Sequence, residues 1–284
     1  MRTVRTVAEL RALLKPARPG SIGFVPTMGA LHEGHLSLLR AARGGNDTVV
    51  LSIFVNPTQF TEASDLVAYP RDEARDLALA ETEGVDVVFA PDAAEMYPDG
   101  FATTVSVRGT IAESLEGAHR GRAHFDGVAT VVTKLLLAVL PDVAYFGAKD
   151  AQQVVVVRRA VADLGLPVRI EVCPTSRDHD GLARSSRNTR LSALERTRAL
   201  AIPRALKAVQ DAAAEGVVDA DALRERALDG LPGDGLAFEY VAIVDPLTFE
   251  QVETVEREAI VAVAARVGDV RLIDNIRIEP GGRR

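Results

Sequence analysis

Short apolar runs alternate with amphipathic stretches over the first 173 positions or so of the chain. Ile22-Gly23-Phe24-Val25 is an apolar run closed by Pro26, the pattern of a buried strand leaving a sheet. Leu36, Leu39 and Ala42 then recur at helical spacing, which predicts a helix from about Glu33. Residues 48–55 are dense in β-branched and apolar side chains and read as a strand buried on both faces. Together these form a βαβ unit, whose crossover is right-handed. The alternation continues with an amphipathic helix over 72–83, a strand over 85–90 and a strongly apolar helix over 127–140 that ends before Pro141. A strand over 143–146, a helix to about 164 and a strand over 168–172 complete it. Thr6-Val7-Ala8-Glu9 is a capping box that opens an earlier short helix through Leu14. Residues 61–69 read as a polar loop, 94–107 as irregular and 116–125 as a loop broken by glycines.

After Pro174 the order changes. Ser192-Ala193-Leu194-Glu195 is a second capping box. Its helix runs towards position 214, and Pro203 is expected to kink or divide it. A helix over 220–228 and strands over 236–244, 259–266 and 270–274 follow. Helices followed by strands describe a small α+β domain. The expected organisation is therefore two domains, 1–175 and 176–284, with no internal repeat.

Composition narrows the setting. The chain of 284 residues carries a formal charge of −7, which argues against a nucleic-acid surface, where a basic stripe is expected. The single cysteine, Cys173, excludes an internal disulfide and fits a reducing compartment. It lies in an apolar run, as a buried thiol would. The start of the chain has no signal-peptide core, and no apolar run is long enough to span a membrane. The expectation is a cytoplasmic enzyme with no membrane or nucleic-acid partner.

The chemistry gathers where strands end. The stretch from Val25 through Met28, Gly29, His32 and Gly34 to His35 and Leu36 places two of the five histidines just past a strand's carboxyl end. Ligands bind at that edge of open α/β sheets. A helix start there offers backbone N–H groups and a positive dipole end to phosphate. Gly34 lets a ligand approach the backbone, and imidazole N–H groups could stabilise charge during attack at phosphorus. Asn56-Pro57-Thr58-Gln59-Phe60 leaves the next strand on the same rim, with amides suited to hydroxyls and a carboxylate. Residues 116–125 hold Arg120, Arg122, His119 and His124, a basic patch near that rim. Gly147-Ala148-Lys149-Asp150-Ala151-Gln152-Gln153 repeats the strand-to-helix arrangement. Lys149 would face a phosphate. Asp150 would cap the helix, bind a ribose hydroxyl or help place Mg²⁺. Residues 180–188, with Arg184, Ser185, Ser186 and Arg187, read as a mobile phosphate clamp and a lid over the reaction.

The His32-Glu33-Gly34-His35 stretch resembles the His-x-Gly-His signature of the nucleotidyltransferase superfamily, which leaves the substrate open. Further motifs follow in order: Pro26 to His35, Phe54 to Phe60, Tyr69-Pro70-Arg71, Met96-Tyr97-Pro98 and His124-Phe125. Phe146-Gly147, Lys149-Asp150 with Gln152-Gln153, Ser185 to Asn188 and Arg271-Leu272-Ile273-Asp274-Asn275 complete the series. With them the chain resembles the pantothenate synthetase family over nearly its whole length. That resemblance implies a Rossmann-like parallel sheet domain with a second, smaller α+β domain, in a homodimer. It implies ATP-dependent joining of pantoate to β-alanine through pantoyl adenylate, with release of pyrophosphate and AMP. By the same resemblance Pro26, Met28, Gln59, Gln153, Val131 and Val132 form the pantoate pocket. His32, His35, Lys149, Ser185 and Arg187 act at the triphosphate. Met28, Gly34, Gly147, Asp150, Ser176, Arg184 and Ser186 belong to the ATP site, and Asp76 and Asp150 reach Mg²⁺ through water or phosphates. The chain departs from the family pattern at Ala148, where glutamate is usual, at Ser176, where an apolar residue is usual, and at Arg184, where methionine lies against adenine. Arg184 is expected either to stack on the base or to turn to the phosphates. The stretch 116–124 is one residue longer than usual, which leaves Arg120 and Arg122 as alternatives for the family's arginine. Two other readings fit parts of the pattern: nucleotidyl transfer without a second condensation, and nucleotide binding without catalysis.

Overall fold

The computed structural model describes residues 1–60, 63–229 and 235–281. The chain divides into two compact units. One comprises Met1–Gly147 with Gln152–Pro174, and the other comprises Ala148–Ala151 with Thr175–Arg284.

In the first unit six strands form one sheet: β1 (Arg2–Val4), β2 (Ile22–Thr27), β3 (Thr48–Ile53), β4 (Val87–Phe89), β5 (Val143–Gly147) and β6 (Arg169–Cys173). Their order is β1-β4-β3-β2-β5-β6, with every pair parallel. The apolar runs are continuous because central strands are covered on both faces. Phe24 and Val25 point to opposite faces of β2, and both are fully buried. On one face Val25, Val49, Leu51, Val88 and Tyr145 pack with Leu36, Leu39 and Ala42 of the helix Glu33–Gly45. The chain goes from β2 to β3 on one side and from β5 to β6 on the other, so the order reverses between β2 and β5. A crevice opens at the carboxyl ends of two such strands. The predicted βαβ succession is present, with the capping box of Thr6 and Glu9 on the helix Val7–Leu14.

Three stretches differ from expectation. Residues 116–125 are helical, with Glu116–Arg120 followed by the start of the long helix Arg122–Val139. Gly121, at φ 76°, separates the two, so the glycine breaks a helix where an open loop was expected. Part of the expected polar loop 61–69 is the helix Ala63–Ala68, while positions 61–62 lie outside the described residues. Residues 94–107 begin with the last turn of a short helix, Ala93–Met96, capped by Asp92.

The second unit holds an antiparallel sheet, β7 (Leu236–Val244), β8 (Ala259–Val267) and β9 (Val270–Ile278). Its core joins Val261, Val263 and Ala265 of β8 to Ile202, Leu206 and Val209 of the helix Ala201–Ala214. The expected division of the long helix is real, but it falls at Leu200, after Ala193–Ala199. Pro203 sits in the first turn of the next helix. There a missing N–H costs nothing, because the first four amides lack helical partners anyway.

Candidate functional site

The turn after β2 is held from below. Asp76, 1 % exposed, accepts hydrogen bonds from the amides of Ala30 at 2.8 Å and Leu31 at 2.7 Å. Gly29 and Ala30 both have positive φ, 80° and 50°. A Cβ on Gly29 would lie 2.8 Å from the Asp76 carboxylate, so the glycine is required both by its backbone and by its neighbour. Asp76 was expected at Mg²⁺. In this structure each of its two oxygens accepts from a backbone amide inside the protein, and it buttresses this turn.

That turn delivers the two histidines to the start of the helix Glu33–Gly45. His32 is its N-cap, and its Nδ1 accepts from the Gly34 amide at 3.1 Å. His35 Nδ1 accepts from the His32 amide at 3.4 Å. The pair is a capping box built from imidazoles, with the rings stacked 4.1 Å apart. A ring nitrogen that accepts from an amide carries no hydrogen, so both neutral rings hold their hydrogen on Nε2. Both are therefore hydrogen-bond donors at the far nitrogen, at the positive end of a helix, beside the carboxyl end of β2.

After β3 the turn Pro57–Gln59 forms a second cluster. Asn56, 1 % exposed, is its hub. Its Oδ1 accepts from the Thr58 amide at 3.3 Å and from the Tyr97 hydroxyl at 2.7 Å. Its Nδ2 donates to the Gly127 carbonyl at 3.2 Å and to Gln59 Oε1 at 3.0 Å. Two backbone groups of unambiguous polarity thus fix the Asn56 amide, which in turn fixes that of Gln59. Gln59 must present Nε2, a donor, and this nitrogen lies 3.1 Å from Met28 Sδ. Burial pushes the Tyr97 phenol up, which keeps it protonated as the donor Asn56 needs. Of the expected pantoate residues, Met28 and Gln59 are brought into contact. Val131 and Val132 are buried on the helix Arg122–Val139, Pro26 is half-buried in β2, and Gln153 is half-buried on the helix Ala151–Asp163. Gln152 is structural: it accepts from the Glu116 amide and donates to the carbonyls of Ile111 and Ser114, at 2.9–3.0 Å. Arg120 pairs with the largely buried Glu116 at 3.0 Å, whereas Arg122 is exposed.

The second unit holds a cluster of its own. Lys149, Ser185, Arg187, Arg271 and Asp274 line one small cleft. Ser185 caps the short helical turn Ser186–Arg190, its hydroxyl accepting from the Arg187 amide at 3.2 Å. Lys149 lies 3.6 Å from Asp150, whose side chain is half exposed. Asp274 is neutralised by the fork of Arg177, at 2.6 and 3.0 Å. Arg271 lies on Glu239 at 2.6 Å, and the lining carries three cationic side chains, Lys149, Arg187 and Arg271, to one carboxylate, Asp274, a balance suited to phosphate oxygens. Arg184 and Ser176 do not line it. They pair through the backbone at 2.9 Å, and Arg184 Nε lies 3.2 Å from both Asp178 Oδ1 and the Arg177 carbonyl. The Arg184 Nε is thus turned to acceptors of the protein's own loop. Asp178 and Asp180 are also bridged by Arg196, at 2.8 and 2.9 Å. Burial pushes the Asp180 carboxyl up, but the Leu182 amide and Arg196 outweigh it and hold it below its usual range. Sequence reasoning gave no role to Asp274, Asn275 or Arg177. Two adjacent polar residues, Asp274 and Asn275, in an otherwise alternating strand were the available signal.

A parallel sheet with a switch point, a helix start bearing two donor imidazoles and a cationic cleft are the features of a doubly wound α/β enzyme acting on phosphorylated ligands. The chain belongs to the pantoate–β-alanine ligase family, whose model matches residues 2–277. The pantothenate synthetase of Roseiflexus sp. (strain RS-1) is 53 % identical over 280 residues, 98 % of this chain and 100 % of that one. A crystal structure of the Thermus thermophilus enzyme superposes with a TM-score of 0.92 at 51 % identity, covering 99 % and 100 % of the two chains. The Francisella tularensis pantoate–β-alanine ligase, solved with β,γ-ATP and β-alanine, gives a TM-score of 0.78 at 34 % identity, with 97 % of each chain covered. The chain is a ligase that forms pantothenate from pantoate and β-alanine.

Proposed function

We propose that the reaction runs through pantoyl adenylate, with ATP as the activating substrate. The observation that carries this reading is the imidazole capping box: two rings locked as Nε2–H donors at a helix start, beside the sheet's switch point. The pantoate carboxylate attacks the α-phosphate, and pyrophosphate leaves. The amine of β-alanine then attacks the acyl carbon, and AMP leaves. No protein nucleophile is needed, because the substrate carboxylate serves as one, so alignment and charge stabilisation are the protein's part. His32 and His35 donate to phosphate oxygens as negative charge builds, with Gly34 allowing close approach. Lys149, Ser185, Ser186 and Arg187 bind the triphosphate. Gly147 and Asp150 serve the ribose, and Ser176 and Arg184 support the loop that carries the serines.

Pantoate is held by the Gln59 donor and by Gln153, against Pro26, Met28, Val131 and Val132. Among the described residues no three His, Cys, Asp or Glu side chains converge as a metal cage. Half-exposed Asp150 beside Lys149 is the side chain that would help hold Mg²⁺, through water or phosphates. When bound, Mg²⁺ neutralises phosphate charge. The reading also includes a cytoplasmic setting, from the single cysteine, and a homodimer, as the family resemblance implies. Among the described residues no helix is long and apolar enough to cross a membrane.

Product analysis tests the reading. ATP and pantoate alone should give pyrophosphate, and AMP should appear only when β-alanine is added. His35→Ala should slow pyrophosphate formation at least a hundredfold, on the order of 3 kcal/mol at the transition state. The reaction of preformed pantoyl adenylate with β-alanine should be far less affected. Equal slowing of both steps would assign His35 to folding instead.

A further inference from the structure

Lys149 lines the cationic cleft, yet its own segment is a single helical turn, Ala148–Asp150. The group that fixes this turn lies on β9. Asn275, 7 % exposed, donates from Nδ2 to the Ala148 carbonyl at 2.9 Å and to the Lys149 carbonyl at 2.7 Å. Carbonyls only accept, so the orientation of the Asn275 amide is settled, and its two N–H groups meet two consecutive carbonyls. Asn275 is itself held firmly. Its backbone pairs with Ala262 of β8, and its backbone N–H donates to Asp274 Oδ1 at 2.8 Å. The Asp274 carboxylate is gripped by the Arg177 fork, and Arg177 also donates to the Gly181 carbonyl at 3.1 Å. A three-residue turn has little rigidity of its own. Lys149 takes its place from β9.

We infer that Asn275 is the positioning residue for Lys149: its side-chain amide holds the 148–149 backbone so that the lysine ammonium meets the triphosphate. This rests on Lys149 contacting the triphosphate. The same strand therefore sets Lys149 through Asn275 and, through Asp274 and Arg177, the start of the loop that carries Ser185 and Arg187. A buried asparagine that merely completes the core would support the whole unit evenly. A positioning residue acts through one partner, and a double-mutant cycle separates the two cases.

Pyrophosphate release from ATP and pantoate is measured for Asn275→Ala, Lys149→Ala and the double variant. The Asn275→Ala change should slow release roughly ten- to a hundredfold and raise KM for ATP, with KM for pantoate within about twofold of the parent. The reaction of preformed pantoyl adenylate with β-alanine should stay within about threefold, and the double variant should be no slower than Lys149→Ala within about threefold. Losses that multiply, or equal slowing of both steps, would overturn the proposal while leaving the Lys149 reading intact. A silent Lys149→Ala would show that the triphosphate reading of Lys149 fails, and the positioning role with it. Asn275→Asp keeps the size of the side chain but removes both donors, so it carries the same cycle if the alanine variant does not fold. Failure of both Asn275 variants to fold, with Lys149→Ala folded, would make Asn275 a folding residue and overturn the proposal.

Discussion

Among single residues, orientation decides chemistry at Gln59 and Arg184. Gln59 Oε1 accepts from Asn56, which fixes the side chain with its Nε2 donors on the Met28 side. An acceptor-rich hydroxy acid fits that polarity. Gln59→Glu removes the donors and sets a carboxylate beside the substrate's own. The change should raise KM for pantoate at least tenfold, a loss of about 1.4 kcal/mol or more, and leave KM for ATP within about twofold. Steady-state kinetics with each substrate varied will check this, and an ATP-selective loss would contradict the assignment. Arg184 has the opposite lesson. Its Nε is held by Asp178 and the Arg177 carbonyl, so it braces the loop. If bracing is its role, Arg184→Met should change KM for ATP by no more than about threefold and leave its dependence on ionic strength nearly unaltered. A sharp drop in salt sensitivity on that change would mean that the guanidinium meets phosphate after all.

At the level of elements, the site depends on a close approach that no local pattern specifies. The helix Arg122–Val139 touches the turn Pro57–Gln59 at Gly127, where a Cβ would lie 2.5 Å from the Thr58 carbonyl oxygen and 2.8 Å from the Gln59 amide nitrogen. Both are backbone atoms and cannot swing aside. Gly127→Ala should therefore push the turn away, cost about 1–3 kcal/mol of stability and raise KM for pantoate more than KM for ATP. Thermal melting and kinetics report the two effects separately, and an unchanged melting temperature would show that the approach is looser than drawn. Much of the scaffold was legible because its signals are local. Apolar runs placed the strands, capping boxes at Thr6 and Ser192 placed helix starts, and His32 and His35 stood out by spacing. The misreadings share a cause. Gly121 was taken for loop, but tertiary packing buries Glu116 and Phe125 on either side of it in helices. Pro203 was judged without knowing that a new helix begins just before it. The amides of Ala30 and Leu31 come to Asp76 from some 45 residues away, a contact no local pattern announces. The Asn275 contacts with residues 148 and 149 span more than 120 positions, and spacing in the chain carries no trace of them.

For the molecule as a whole, the two halves of the reaction proposed above make different demands. The first needs charge stabilisation at phosphorus, the role proposed above for the imidazole pair. The second needs an amine, an acyl carbon and little charge. A mixed anhydride between them is open to hydrolysis, so an enzyme that released it would waste ATP. Retention should be visible in the stoichiometry. With ATP and pantoate but no β-alanine, pyrophosphate should appear as a burst of about one equivalent per chain, followed by a rate at least about tenfold slower. Adding β-alanine should then discharge the bound intermediate as pantothenate and AMP in one turnover. Rapid-quench measurement at enzyme concentrations comparable with substrate reads the burst directly. Linear pyrophosphate release without a burst, with adenylate accumulating in solution, would mean that the chain lets its intermediate go between steps. A burst of half an equivalent per chain would point instead to sites that act alternately in a dimer, and would have to be accompanied by a dimeric mass in sedimentation.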